Sequence, residues 1–287
     1  MRPTLLIPGW TFFLIGFYRT GISQHIPMLA FISATLMMGG IYVINQIMDI
    51  ESDRINKKLY LLPEGYISVK QAWIEAILLF ALAFVCAIPY PLRFKLLLFV
   101  SFIGGILYSV PPFQFKGRPI LDLFSNSFGY GLVAFSLGWS AVKHISFNTV
   151  LYALPYLFAV GAVFINTTIP DMEGDKKSGK ITTGVLMGNN AYLFSTILVI
   201  ISFILSVYLK DWLCGITSIV AIPLFLLAYI KRNLTYCFFS IRISAPILVL
   251  LTAVKFLWFA LVLIIIFWGM RIYYKYRFNI IYPKIND

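Results

Sequence analysis

The sequence predicts an all-α, polytopic membrane protein, with about nine transmembrane helices in a single domain that takes in residues 1–287. Three observations carry that prediction. Hydrophobic residues make up 60% of the chain and charged residues only 12%, against roughly 45–50% and 25% in a soluble domain. The excess must face lipid. The apolar residues also fall in continuous runs of about the 20 residues that a helix needs to cross a bilayer core. Those runs do not alternate with period two, as the strands of a membrane barrel must. A mean hydropathy of +0.88 agrees.

The elements follow in order. The first run, 3–19, has a single basic residue ahead of it, Arg2, and no small-residue cleavage site, so it reads as a span rather than a secretory leader. Further runs lie at about 27–48, 71–89, 93–110, 120–142, 147–168, 190–209, 211–230 and 246–270. The first and fourth are short, which leaves eight as the alternative count. No internal repeat is evident in residue identity. Cys86, Cys214 and Cys237 stand apart in or near apolar segments. None forms a CxxC or pairs with a His, which speaks against a zinc site or a disulfide framework.

The loops assign the sides. After the second, fourth, sixth and eighth runs come Arg54, Lys57, Lys58, Lys70; Lys116, Arg118; Lys176, Lys177, Lys180; and Lys231, Arg232, Arg242, with Arg2 on the same side. The other loops hold only Arg19, Arg93, Lys95, Lys143 and Lys210. The positive-inside rule makes the first set cytoplasmic, and the expected location is the cell membrane. The net charge of +12 then reports orientation and contact with the lipid bilayer, not nucleic acid. One feature conflicts: the basic tail "RIYYKYRFNIIYPKIND" would lie outside after nine spans.

The acids are concentrated. Of 11 acidic residues, Asp49, Glu51 and Asp53 follow the second run, and Asp171, Glu173 and Asp175 follow the sixth. If the second helix continues, Asn45, Asp49 and Asp53 share one face at i, i+4, i+8, with Glu51 pointing elsewhere. "PDMEGD" repeats the i, i+4 spacing in Asp171 and Asp175, and Pro170 suits the start of a helical turn. A lone DxxxD in a loop is most often a pair of solvated helix-end acids. Two of them on one side of an acid-poor chain favour a ligand instead. Carboxylates with no His or Cys nearby make a hard oxygen site for Mg²⁺ or Ca²⁺. Mg²⁺ typically combines one or two carboxylates with substrate phosphates. A diphosphate at the membrane surface, with its lipid tail between the helices, fits that chemistry.

Cations would complete such a site, because a leaving diphosphate is stabilised by Lys, Arg and metal. Lys116 and Arg118 follow the fourth run, and Lys176, Lys177 and Lys180 flank the second acidic stretch, although topology alone also accounts for lysines there. The Tyr108 ring could face a carbocation, or be one of 17 ordinary tyrosines. Asp122 and Asn126, one turn apart, could bind substrate or pair with a loop lysine. His25 and His144 fall on the opposite side, so the chemistry should need no strong base beside the metal.

These stretches resemble the UbiA superfamily of intramembrane prenyltransferases. "NQIMDIESD" is similar to its NxxxDxxxD motif, and "IPDMEGDKKSGK" to the second motif of the homogentisate- and quinone-prenylating branches. "LYSVPPFQFKGR" resembles its YSxPPxxxK loop and "LPEGYIS" its LPxGxIS. The resemblance runs from about Asn45 to Gly184. It implies nine transmembrane helices around a central cavity open sideways to lipid. It implies that Asn45, Asp49, Asp53, Asp171 and Asp175 bind the diphosphate through Mg²⁺, with the four aspartates as metal ligands. Lys116 and Lys180 would contact phosphate, and Tyr108 would sit near the prenyl carbon. The implied reaction moves a prenyl group from a polyprenyl diphosphate to a hydrophobic acceptor, an aromatic ring or a lipid-like alcohol, with no protein partner.

The chain also departs from that pattern. Tyr60 stands where Arg is common, Gln114 replaces an Arg before "FK", and Thr167 and Thr168 stand where another acid is common upstream of Asp171. Two lost cations and one lost anion indicate a rebalanced site. The competing expectations are an intramembrane terpene cyclase, which shares the ionisation step but has no external acceptor, and a transporter. The latter normally places its charges near the bilayer midplane.

Overall fold

The structure is a computed structural model; it describes residues 3–22, 25–55, 61–177 and 179–282. Arg2, Lys57, Lys58 and Tyr60 lie outside the described residues. Among the described residues the regular elements are all helical. Long helices form at Ile7–Arg19 (α1), Met28–Met48 (α2), Val69–Ala87 (α3) and Leu92–Ser109 (α4). A continuous helix, α5, covers 121–140; its middle, Ser127–Ala134, is π-helical. Then come Phe147–Thr168 (α6), Asn190–Tyr208 (α7), Trp212–Lys231 (α8), Leu234–Lys255 (α9) and Leu257–Phe278 (α10). Eight of these, all but α1 and α5, are single helices long and apolar enough to cross a membrane. The chain is an integral, multi-pass membrane protein.

Two groups of helices build the interior. α1–α4 enclose one core with Phe13, Leu14, Met37, Phe80, Phe94 and Leu98. α6–α9 enclose a second with Ile165, Val199, Phe225 and Cys237. A third cluster, with Ile15, Phe135, Trp139, Tyr156 and Leu213, joins them where α1, α5, α6 and α8 meet. The α1–α5 crossing depends on two glycines. A Cβ on Gly16 would fall on the Phe135 carbonyl, and one on Gly138 would fall on the Phe13 carbonyl. The outer faces keep large apolar side chains exposed, such as Ile77, Leu78, Leu257 and Ile265. In a membrane those faces meet acyl chains, and the helices satisfy their own backbone polar groups.

One expected span is corrected. The run 246–270 is not a single helix. It straddles a break at Phe256, so α9 and α10 are two helices where one was expected. Arg242, expected in a loop, lies inside α9. No Gly, Pro or Asn marks the break, and hydropathy averaged through Lys255. Lys255 in fact ends α9, over the rings of Trp212 at 4.7 Å and Tyr18 at 5.4 Å. The extra helix brings the tail to the end of the bundle that holds the acidic stretches. There the Tyr282 hydroxyl hydrogen-bonds the Thr4 hydroxyl, and Phe278 packs on Tyr66 at 5.2 Å. The conflict between the basic tail and the nine-span count came from the missed helix.

Candidate active site

The first acidic stretch keeps the predicted face with a kink in it. α2 ends at Met48; Asp49 takes a turn conformation, and a short helix resumes at Ile50–Ile55. The ladder nevertheless continues: Asp49 N–H donates to the Asn45 carbonyl at 3.1 Å, and Asp53 N–H to the Asp49 carbonyl at 2.7 Å. Asn45, Asp49 and Asp53 therefore stay in helical register. Asn45 Nδ2 donates to Ser109 Oγ at 3.1 Å, which ties α2 to the end of α4. Glu51 is exposed, as its place in the register requires.

Among the described residues, Lys116 is a cation that the structure brings to this face. Its Nζ donates to Asp49 Oδ1 at 2.6 Å, with both side chains mostly covered. It sits on a single 3₁₀ turn, Phe115–Gly117, which follows Gln114 in the left-handed region. Arg118 is not on this face. It is exposed, and its guanidinium donates to the Pro112 carbonyl in its own loop at 2.6 Å. Tyr108, the penultimate residue of α4, accepts a hydrogen bond from Asn126 Nδ2 at 3.2 Å. The same amide donates to the Asp122 carbonyl at 2.9 Å. Deeper between the helices, the Tyr42 and Tyr130 hydroxyls bond to each other, joining α2 to the π-helical stretch of α5. π-helical segments are frequent at functional sites.

The second stretch forms a short helix, Met172–Lys177, entered through Pro170 and Asp171. Asp175 N–H donates to the Asp171 carbonyl at 2.8 Å, so the i, i+4 relation holds there too. Asp171 and Glu173 are exposed and Asp175 is half-buried. Lys180 is exposed, and its backbone N–H donates to the Asp175 carbonyl at 2.9 Å. Thr182 Oγ1 donates to Asp175 Oδ2 at 3.1 Å. Thr168 is buried and hydrogen-bonds the Ile165 carbonyl of its own helix, while Thr167 is exposed.

Among the described residues Asp122 pairs with Thr183 and Leu123 and with no lysine. It is fully buried at the head of α5. Its carboxylate accepts from Thr183 N–H at 2.8 Å, Leu123 N–H at 2.7 Å and the Thr183 hydroxyl. Sequence reasoning missed Thr182 and Thr183. The available signal was "TTG" ahead of a short apolar stretch, since Thr is a good N-cap residue; Thr182 caps the helix Thr183–Met187.

The opposite end is chemically different. Arg19, Arg93 and Lys143 donate to carbonyls at helix ends, Leu209, Ser140 and Thr20, where cations are favoured. Asp211 is the acid of this end. It is buried, holds Tyr156 OH at 2.8 Å, and has Arg19 Nε at 3.4 Å. His25 and His144 are exposed here, far along the bundle from the acidic stretches.

The donor set bears on which metal could be held. Among the described residues no three His, Cys, Asp or Glu side chains close around one point. The side chains of the two acidic motifs are carboxylates, and oxygen donors of this kind suit a hard divalent cation.

The model described as the UbiA prenyltransferase family matches residues 5–236. A chloroplast protein of Oryza sativa subsp. japonica named "Probable homogentisate phytyltransferase 2" is 33% identical over 184 residues, 57% of this chain and 46% of its own length. The digeranylgeranylglyceryl phosphate synthase of Methanococcus aeolicus is 27% identical over 235 residues, 79% of this chain and 78% of its own length. The chain spans about half the length of the plant relatives it matches, 40% and 46% for two of them. Among solved structures, a UbiA homolog from Archaeoglobus fulgidus bound to GPP and Mg²⁺ aligns with a TM-score of 0.66 at 25% identity. The alignment covers 86% of this chain and 94% of that one.

Proposed function

The chain belongs to the UbiA prenyltransferase family, and from that premise we propose that it transfers a prenyl group from a polyprenyl diphosphate to an aromatic or lipid-like acceptor within the membrane, releasing diphosphate in a Mg²⁺-dependent reaction. The observation that carries this reading is the Lys116–Asp49 bond at 2.6 Å, a cation and a carboxylate held together at the end of a membrane helix, one loop away from Tyr108. The A. fulgidus structure with GPP and Mg²⁺ supports the choice of ligand.

In this reading Asp49, Asp53, Asp171 and Asp175 are the metal ligands, and Asn45 orients Asp49's helix through Ser109. Bound Mg²⁺ would offset the diphosphate charge and ease loss of the leaving group. Lys116 exchanges Asp49 for a phosphate oxygen and takes up charge as the C–O bond breaks. The Tyr108 ring, its hydroxyl held by Asn126, presents its face to the allylic cation. Arg118 and Lys180, exposed at the rim, attract the diphosphate. The apolar interior excludes water, which would otherwise capture the cation. The domain takes in the whole chain: α9 and α10 extend beyond the family match but pack on α6, α8 and the N-terminal turn. The acidic stretches face the cytoplasm of the cell membrane, on the side of the basic loops and tail.

The test is product analysis in lipid nanodiscs with a prenyl diphosphate, Mg²⁺ and a panel of aromatic and glycerol-derived acceptors. A prenylated acceptor plus diphosphate is the expected result, abolished in Asp49→Ala and in Asp171→Ala with the thermal transition retained. A cyclic hydrocarbon formed without acceptor makes the protein a cyclase instead. Turnover that survives both substitutions overturns the assignment.

A further inference from the structure

We propose that Asp122 and Thr183 form a clip that fixes the Lys116 loop and the Asp171–Asp175 segment relative to each other, making both of them positioning residues for the transfer. The inference rests on the function proposed above, but its structural half does not.

Thr183 Oγ1 is a three-way junction. It accepts from Ile120 N–H at 2.7 Å and donates to Asp122 Oδ1, while its own N–H donates to Asp122 Oδ2 at 2.8 Å. Ile120 ends the loop that carries Lys116 and Arg118. Its φ is +70° with ψ −43°, a conformation that a β-branched residue adopts only when its surroundings impose it. The bond from Ile120 N–H to Thr183 is one such imposed contact. The neighbouring Thr182 donates to Asp175 Oδ2, so two consecutive threonines hold the two halves of the site. On the far side, Gly184 packs so closely under Thr168 of α6 that a Cβ would overlap its hydroxyl. The helix Thr183–Met187 is thereby seated between α5 and α6. The same Asp122 also starts the turn whose Asn126 reaches Tyr108. One bonded path thus runs from Tyr108 through Asn126, Asp122, Thr183 and Thr182 to Asp175.

Asp122 is fully buried and Thr183 is 2% exposed, and among the described residues no cation pairs with Asp122. A buried carboxylate without a counter-charge is costly unless its hydrogen bonds are complete; here three donors from Thr183 and Leu123 complete them. Such an arrangement is rigid and intolerant of a missing partner. Misplacing reacting groups by about 1 Å costs on the order of a hundredfold in rate.

The experiment compares wild type with Thr183→Val, Thr183→Ser and Thr182→Val, reading amide hydrogen exchange of residues 114–120 and 171–177 together with steady-state kinetics on a prenyl diphosphate. Tyr156→Phe, at the other end of the bundle, is the control for general loosening. Thr183→Val is expected to raise exchange in both segments, raise KM for the diphosphate and lower kcat/KM by roughly tenfold to a hundredfold. Thr183→Ser is expected to restore all three. Thr182→Val, which leaves the Asp122 bonds in place, is expected to loosen 171–177 alone, and Tyr156→Phe to lower the thermal midpoint without moving either segment. Unchanged exchange in either segment of Thr183→Val overturns the clip, as does Thr183→Ser behaving like Thr183→Val. If Thr183→Val does not fold, loosening of both segments by Thr182→Val also overturns it. A wild type with no turnover refutes the proposed function, while the exchange data still decide the clip.

Discussion

At the scale of single residues, the central contact is Lys116 on Asp49. A charge-assisted hydrogen bond of this kind is worth roughly 1.5–3 kcal/mol. Lys116→Met removes the cation and keeps most of the side chain's bulk. It is expected to weaken prenyl diphosphate binding by about ten- to a hundredfold, measured by titration calorimetry, with the thermal midpoint little changed; equal affinity would detach Lys116 from the site. At the other end, Tyr156→Phe deprives buried Asp211 of a donor to both carboxylate oxygens. That is expected to cost on the order of 1–3 kcal/mol, seen as a lower midpoint in detergent with unchanged KM. The i, i+4 register of the acidic motifs was legible from spacing, whereas chemistry alone left Lys116 and Tyr108 as candidates beside ordinary readings, and the Lys116–Asp49 bond came from the fold. Asp122 was visible, but its partner was not. A threonine 61 positions away leaves no periodic trace, because the bond depends on where the short helix Thr183–Met187 sits against the head of α5.

At the scale of elements, the sequence named the spans well where polar residues bracket them. It failed where one lysine sat inside an apolar tract. Lys255 was absorbed into the run 246–270, although it ends a helix at the interface. Window-averaged hydropathy cannot separate a lysine that snorkels within a span from one that ends it. Likewise, α5 read as an ordinary span, and nothing in its composition foretold the π-helical turn at Ser127–Ala134. The α1–α5 contact is the element most sensitive to side-chain size. Gly138→Val is expected to force the helices apart, costing about 1–3 kcal/mol or more and lowering the thermal midpoint. A midpoint equal to wild type would mean that α1 and α5 do not cross at these glycines.

At the scale of the whole molecule, the functional groups are sorted by end. The acidic stretches, the Lys116 loop and the basic tail share one end. Helix-capping cations and the buried Arg19–Asp211–Tyr156 cluster occupy the other. The count of helices sets this sorting, since the tail joins the acidic end only because α9 and α10 are separate. Impermeant thiol reagents applied to sealed vesicles should label Lys176→Cys and Lys275→Cys from the same side, in a background lacking the native cysteines. Labelling from opposite sides would break the two-helix description of 234–278. The measurement that tests the account most directly is the titration of geranylgeranyl diphosphate into purified protein with and without Mg²⁺, comparing wild type with Asp49→Ala/Asp175→Ala. Binding that requires Mg²⁺ in wild type and is lost in the double variant is the predicted result. Mg²⁺-independent binding, or equal affinity in the double variant, would contradict a diphosphate held through metal by these carboxylates.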